Sequence, residues 1–183
     1  MSLFQQLKTI LNDDYKEFDS VNNFNLTEPL NTTGCRQVGI QVQCPEVIVY
    51  RLDLVKTYSS CGHVIEKFPF FNNGIPKRIC DYLIFYEKNS ILYSFLFELK
   101  SDSIDGAKNQ LNSGFHLAQY FVSTARRCSP VIINQKVKYR AILFSTRNVY
   151  KTNPSDPFFS DAGEVKYREV LCNSSYSLDS FCH

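Results

Sequence analysis

The 183-residue chain has no tryptophan, no Cys-x-x-Cys pair, no apolar run long enough to cross a bilayer and no large excess of either charge. Each absence excludes something. Twenty Lys and Arg against 18 Asp and Glu leave a formal charge of +2, so a strongly basic coat is excluded while local basic clusters are not. Without about 20 consecutive apolar residues there is no expected membrane helix. The start "MSLFQQLKTILNDDYKEF" lacks the basic, apolar and small-residue segments of a secretory signal. Seven cysteines, at 35, 44, 61, 80, 128, 172 and 182, are odd in number and scattered. Cys61-Gly62-His63 has no partner pair at zinc-finger spacing, and a zinc site from Cys172, Cys182 and His183 is not expected. The cysteines are therefore read as reduced, mostly buried thiols acting as small apolar residues. Together these features predict a soluble cytoplasmic protein.

What is present is enough for a core. The chain is 44% hydrophobic and 14% aromatic, with 11 Tyr and 15 Phe, which suits one folded domain and favours sheet. Residues 3 to 18 carry Leu3, Leu7, Ile10, Leu11 and Phe18 at helical spacing, predicting a first helix over 1–18. An Asn- and Thr-rich loop, "SVNNFNLTEPLNTTG", follows. Strands are predicted in "QVGIQVQ", "EVIVYRLDLVKTY" and "GHVIEKFPFF", then as a pair around "EKNS" in "RICDYLIFYEKNSILYSFLFELK". From Ile104 to Ala125 apolar residues recur every three or four positions, predicting an amphipathic helix over 104–127 with Ser103 as its cap and Asp105 near its start. "KVKYRAILFSTR" reads as a further strand, "KTNPSDPFFSDAG" as a loop and "EVKYREVL" as an edge strand. The order predicts a mixed α/β domain with a central sheet of four or more strands flanked by the two helices.

One strand breaks its own pattern. Phe95, Leu96, Phe97 and Leu99 belong in a buried sheet, yet Glu98 and Lys100 interrupt them. Buried charges are rare unless paired or bound. Alternation puts Glu98 and Lys100 on one face. A tight "KN" turn that pairs Glu87 with Ser90 sets Asp81 opposite Leu96, diagonal to Glu98 and on the same face; a two-residue shift preserves this relation and a one-residue shift destroys it. Two carboxylates on rigid strands suit Mg²⁺ or Mn²⁺, and a nearby lysine can position a water and stabilise charge on phosphorus. The bland alternative is a strand end meeting solvent, with an ordinary surface ion pair and a turn-capping Asp81.

Asp81, sixteen intervening residues and then Glu98-Leu99-Lys100 resemble the PD-(D/E)xK nuclease superfamily, over residues 75 to 147. The resemblance implies a restriction-endonuclease-like core of order αβββαβ within a single domain 1–183, with residues 1–70 preceding it as helix and strands and 148–183 extending it. It implies Asp81 and Glu98 as metal ligands together with the Leu99 backbone carbonyl, Lys100 as a catalytic group, and Gln110 on the following helix as a further site residue. Many members add a Glu on an early helix; Glu17 stands first for that role, with Glu46 and Glu66 as strand-borne alternatives. Lys77 and Arg78, leading into the Asp81 strand, are candidates for a phosphate backbone. Two departures stand out: Cys80 replaces the proline before the Asp, and Gly114 stands where the Q-x-x-x-Y branch has its tyrosine.

The implied activity is metal-dependent hydrolysis of nucleic acid, DNA before RNA, with Mg²⁺ or Mn²⁺, in defence or mobile-element processing. A homodimer or a subunit of a larger complex is expected, because two sites cut two strands and pooled basic patches offset the near-neutral charge. The alternative is a nuclease-fold subunit that binds nucleic acid or protein without cutting. His116 and the groups Arg126-Arg127 and Lys136, Lys138, Arg140 are read as solvated surface, and Tyr82, Phe85 and Tyr93 as core.

Overall fold

A computed structural model of the chain describes residues 1–11, 13, 16–19, 22–27, 34–43, 46–52, 79–101, 103–147 and 165–183. The proposed strand at 62–71, the "KTNPSDPFFSDAG" loop, Glu66, Lys77, Arg78, Cys44 and Cys61 lie outside these residues.

The longest periodic segments become the frame. β5 (Tyr82–Lys88) and β6 (Ile91–Lys100) form an antiparallel hairpin, and α2 (Ala107–Cys128) crosses back to β7 (Lys136–Ser145), which runs parallel to β6. β4 (Val47–Arg51) pairs antiparallel with the outer side of β5. β1 (Lys16–Asp19) adds antiparallel to β4, and β8 (Arg168–Leu171) adds parallel to β7, giving a mixed sheet of order β1-β4-β5-β6-β7-β8. A second sheet, of order β2-β3-β9, is built from β2 (Asn23–Thr27), β3 (Gln37–Gln41) and β9 (Ser175–Ser177).

Both faces of the large sheet are covered, which is why β4, β5 and β6 are buried almost along their whole length instead of alternating with solvent. On one face Val49, Ile84, Phe95, Phe97 and Phe144 pack under the second sheet and the 3₁₀ turn Leu178–Phe181. On the other, Ile48, Leu83, Phe85, Leu92 and Leu96 meet Leu3, Phe4 and Leu7 of α1 (Leu3–Ile10) and Leu111, Ala118, Val122 and Ala125 of α2. Tyr82, Phe85 and Tyr93 are core residues, as expected. Among the described residues no helix is long and apolar enough to cross a membrane.

Four expectations are corrected. The first helix is not 1–18: it stops at Ile10, and Glu17 and Phe18 belong to β1, where all four residues are half-buried. The Asn-rich stretch is not only loop, because Phe24 and Leu26 alternate inward in β2 with exposed Asn23 and Asn25 between them. Ser103 does not cap α2. Its hydroxyl accepts from the Asp105 N–H at 3.1 Å, while the N-cap position is held by Gly106, whose φ of +78° is a conformation that glycine adopts without a Cβ penalty. The cysteines are not all thiols either: Cys35 and Cys172 form a disulfide with Cα atoms 5.4 Å apart, closing a span of 137 positions, while Cys80, Cys128 and Cys182 are free. That bridge removes one premise of the cytoplasmic expectation.

Close packing of α2 on the sheet depends on Gly114, where a Cβ would collide with the Cys80 Sγ and come to 3.5 Å from Leu96 Cδ2. Gly114→Ala is expected to destabilise by about 1–3 kcal/mol through overpacking, lowering Tm by roughly 2–4 °C per kcal/mol. Adding Cys80→Ala should return most of that loss in a thermal melt; a double variant as unstable as the single one would show that the close approach is not the cause.

Candidate functional site

The hairpin register decides where the acids fall. Turn residues Asn89 and Ser90 have φ of 51° and 61°, the pair of positive values that a two-residue type I′ turn requires, so Lys88 pairs with Ile91 and Tyr82 with Phe97. The turn is therefore Asn-Ser and not Lys-Asn. The resulting shift of two preserves the facing of side chains, and one further residue places Asp81 opposite Glu98 instead of Leu96.

Both carboxylates lie on the face covered by α2, Glu98 1% and Asp81 9% exposed. Each accepts a backbone N–H from the other's strand: Asp81 N–H donates to Glu98 Oε2 at 3.2 Å, and Leu99 N–H donates to Asp81 Oδ2 at 2.7 Å. Lys100 Nζ pairs with Glu98 Oε1 at 2.8 Å and donates to Gln110 Oε1 at 2.7 Å. Gln110 is held in turn: its Nε2 donates to the Ile79 carbonyl at 3.4 Å, and its own carbonyl accepts from the Cys80 N–H at 3.1 Å. The structure thus brings together Asp81, Glu98, Lys100 and Gln110. Glu98 is no surface residue and Gln110 is no solvent-facing helix residue. His116, by contrast, is exposed on α2, as expected.

Burial pushes the Cys80 thiol well above its ordinary value, and the negative charges of Glu98 and Asp81 push it further. Cys80 accordingly stays a protonated thiol that packs against Gly114 and is no candidate nucleophile.

Of the additional acids, the two that are described, Glu17 and Glu46, do not join this cluster. Glu46 precedes β4 at the end that pairs with Tyr86 and Glu87, so most of the length of β5 separates it from Asp81. Glu17 sits at a register irregularity of β1, in the field of Arg51 and near Tyr82. Tyr82 projects to the face opposite Asp81, and the Arg51 guanidinium lies 5.5 Å from its ring centroid. One acid was missed: Glu169 on β8 accepts from the buried Ser145 hydroxyl at 2.6 Å, and Ser145 is the β7 partner of Lys100. Its place was not legible in "EVKYREVL", because nothing local says that β8 pairs parallel to β7. Of the basic groups read as solvated, Arg140 is half-buried and donates to the carbonyls of Tyr139 and Cys182.

The donor set fits a hard divalent ion. Two carboxylates are fixed on one face by reciprocal backbone hydrogen bonds, and among the described residues no group of three or more His, Cys, Asp or Glu side chains converges. Such an ion would draw on Asp81, Glu98 and the Leu99 carbonyl and complete its shell with water and phosphate oxygens, the habit of Mg²⁺. No family model matches the chain, and neither a curated protein nor a solved structure matches it.

Burial raises the pKa of Glu17, more than the Arg51 charge lowers it, and its Oε2 has no hydrogen-bond partner. The fold therefore favours the neutral carboxyl. That contribution to stability is full below the ordinary carboxylate range and is lost as pH rises through the raised value. Glu17→Gln, neutral throughout, should gain on the wild type in Tm as pH rises from about 4 into the neutral range. A Tm difference that is flat across that range would contradict this account.

Proposed function

We propose that the chain is a divalent-metal-dependent nuclease hydrolysing phosphodiester bonds, with DNA as the favoured substrate, Asp81 and Glu98 as metal ligands and Lys100 and Gln110 as acting groups. The observation that carries the reading is the buried pair Asp81 and Glu98, each carboxylate accepting a backbone N–H from the other's strand, with Lys100 held beside Glu98. Burying two carboxylates in a strand end costs stability unless something else is gained. The run β4, β5, β6, α2 and β7, with α1 earlier in the chain beyond β1, β2 and β3, supports the reading as well, since the resemblance implies a helix, three strands, a helix and a strand.

When bound, the ion would offset charge on the phosphate and acidify a water. The rest falls to the chain. Lys100 has three N–H donors, two of them directed to Glu98 and Gln110. The third is available to orient an attacking water or a phosphate oxygen. Gln110 fixes the ammonium without adding charge, and the Ile79 carbonyl fixes the orientation of the Gln110 amide. Asp81 and Glu98, on rigid strands, keep their separation without reorganising as charge develops.

Homodimer formation, a role in defence or mobile-element processing, and a cytoplasmic location belong to the same proposal; the Cys35–Cys172 bridge is the observation that weighs against that location. Non-catalytic binding by the same fold would give no reason to retain Lys100 between two acceptors.

The backbone hydrogen bonds determine which variants test this. Alanine at Glu98 would leave the buried Asp81 N–H without its acceptor, costing about 1–3 kcal/mol, so the isosteric amides are the cleaner changes. Asp81→Asn and Glu98→Gln should fold and lose nearly all cleavage of DNA and RNA oligonucleotides with Mg²⁺ or Mn²⁺, and chelator should abolish wild-type cleavage. Lys100→Ala should lose about 10²–10⁴-fold. Lys100→Arg keeps the charge but does not give up a proton, so full activity there would reduce the lysine's role to electrostatics. A folded wild type that cleaves nothing with either metal, or a Glu98→Gln variant that cleaves normally, would overturn the reading.

A further inference from the structure

We infer that Arg36 and Arg147 form a phosphate-binding rim beside Lys100, built to take the phosphodiester backbone of one nucleic-acid strand; the inference deepens the nuclease reading and rests on it. Its centre is Ser101, the residue that follows Lys100. The Ser101 hydroxyl accepts the Cys35 N–H at 3.0 Å, and the Ser101 carbonyl accepts the Thr146 hydroxyl. Gly34 packs against the same serine so closely that a Cβ there would collide with its side chain. Arg36 and Arg147 are therefore each one residue, about 3.8 Å of chain, from a group bonded to Ser101.

Both arginines are exposed, and among the described residues neither guanidinium is in an ion pair. The Arg36 backbone is nonetheless fixed. The Arg36 and Gln37 N–H groups donate to Asn173 Oδ1 at 3.0 and 3.3 Å, the Asn173 side chain donates to the Gly34 carbonyl at 3.1 Å, and the disulfide ties Cys35 to Cys172. Arg147 follows β7 two residues beyond Ser145, the partner of Lys100. Lys100 ends β6, Arg147 continues β7 on the flank of β6 away from Asp81, and Arg36 lies beside the second sheet, so the two arginines sit at the same sheet end as Lys100. In a chain of net charge +2 this places positive charge where a scissile phosphate and its neighbours would run.

The test is equilibrium binding of labelled single-stranded and duplex oligonucleotides, DNA and RNA, by fluorescence anisotropy across a salt series in chelator, so that no cleavage occurs. The Arg36→Ala/Arg147→Ala double variant should bind more weakly, and the slope of log affinity against log salt should fall by about 1.4 for single strands or about 1.8 for duplex, two phosphate contacts' worth. Arg127→Ala, about 25 Å from Gln110 along α2, should leave the slope unchanged. Equal losses in both variants would indicate diffuse attraction and overturn the rim, as would a double variant that binds like wild type or a wild type that does not bind. The two readings separate cleanly: cleavage that depends on Glu98 but ignores both arginines removes the rim alone, whereas rim-dependent binding without Glu98-dependent cleavage removes the nuclease reading alone.

Discussion

A buried carboxylate must find inside the protein the partners that water would otherwise supply, and the end of β6 is organised around that requirement. Glu98 receives the Asp81 N–H and the Lys100 ammonium, and Asp81 receives the Leu99 N–H. Each acid is thereby tied to the strand that carries the other, so the hairpin and the site are one structure. A slip of one residue in β5 against β6 would put the two acids on opposite faces, turning Asp81 toward the side occupied by Phe95 and Phe97 and breaking its bonds to β6. The type I′ turn at Asn89-Ser90, about 26 Å away at the other end of the hairpin, is what prevents that slip. Gln110 extends the constraint to α2, whose first turn must approach Lys100, and Gly106 and Gly114 permit that approach from two points along the helix.

This dependence explains which parts of the fold were legible in the sequence. β5, β6, α2 and β7 are long and carry strong periodic or continuous apolar patterns, so their type and order follow from local residues alone. Even a misplaced turn left Asp81 and Glu98 on one face, because a two-residue error does not change the parity of a strand. The short elements were different. β1 reads "KEFD" and is half-buried throughout, so no alternation marks it; β9 has three residues; β2 hides Phe24 and Leu26 among asparagines. The first helix was overextended because Leu11 and Phe18 keep helical spacing by coincidence with a turn and a strand.

The candidate site divides in the same way. Asp81, Glu98 and Lys100 sit on elements whose pairing is local in sequence, and Gln110 lies one turn into the next helix. Glu169 and Ser145 meet only because β8 returns beside β7 after a long excursion, and spacing carries no trace of that. The disulfide was illegible for the same reason: seven cysteines permit many pairings, and nothing near Cys35 points to Cys172. Glu17 was expected near the acids on the strength of an early helix that is in fact a strand, and the strand delivers it to Arg51 on the other face.

The bridge between Cys35 and Cys172 also partitions the chain mechanically. Every strand of the large sheet except β1, together with α2 and the whole hairpin, lies between the two cysteines, while α1, β1, β2, β9 and the final 3₁₀ turn lie outside. Tension applied at residues 3 and 181 would peel those outer elements and then be carried by a covalent bond, leaving the enclosed residues unloaded. On the order of 450 Å of contour length would remain hidden from a pulling experiment until the sulfurs were reduced. The strand end that holds Asp81, Glu98 and Lys100 lies inside that shielded loop.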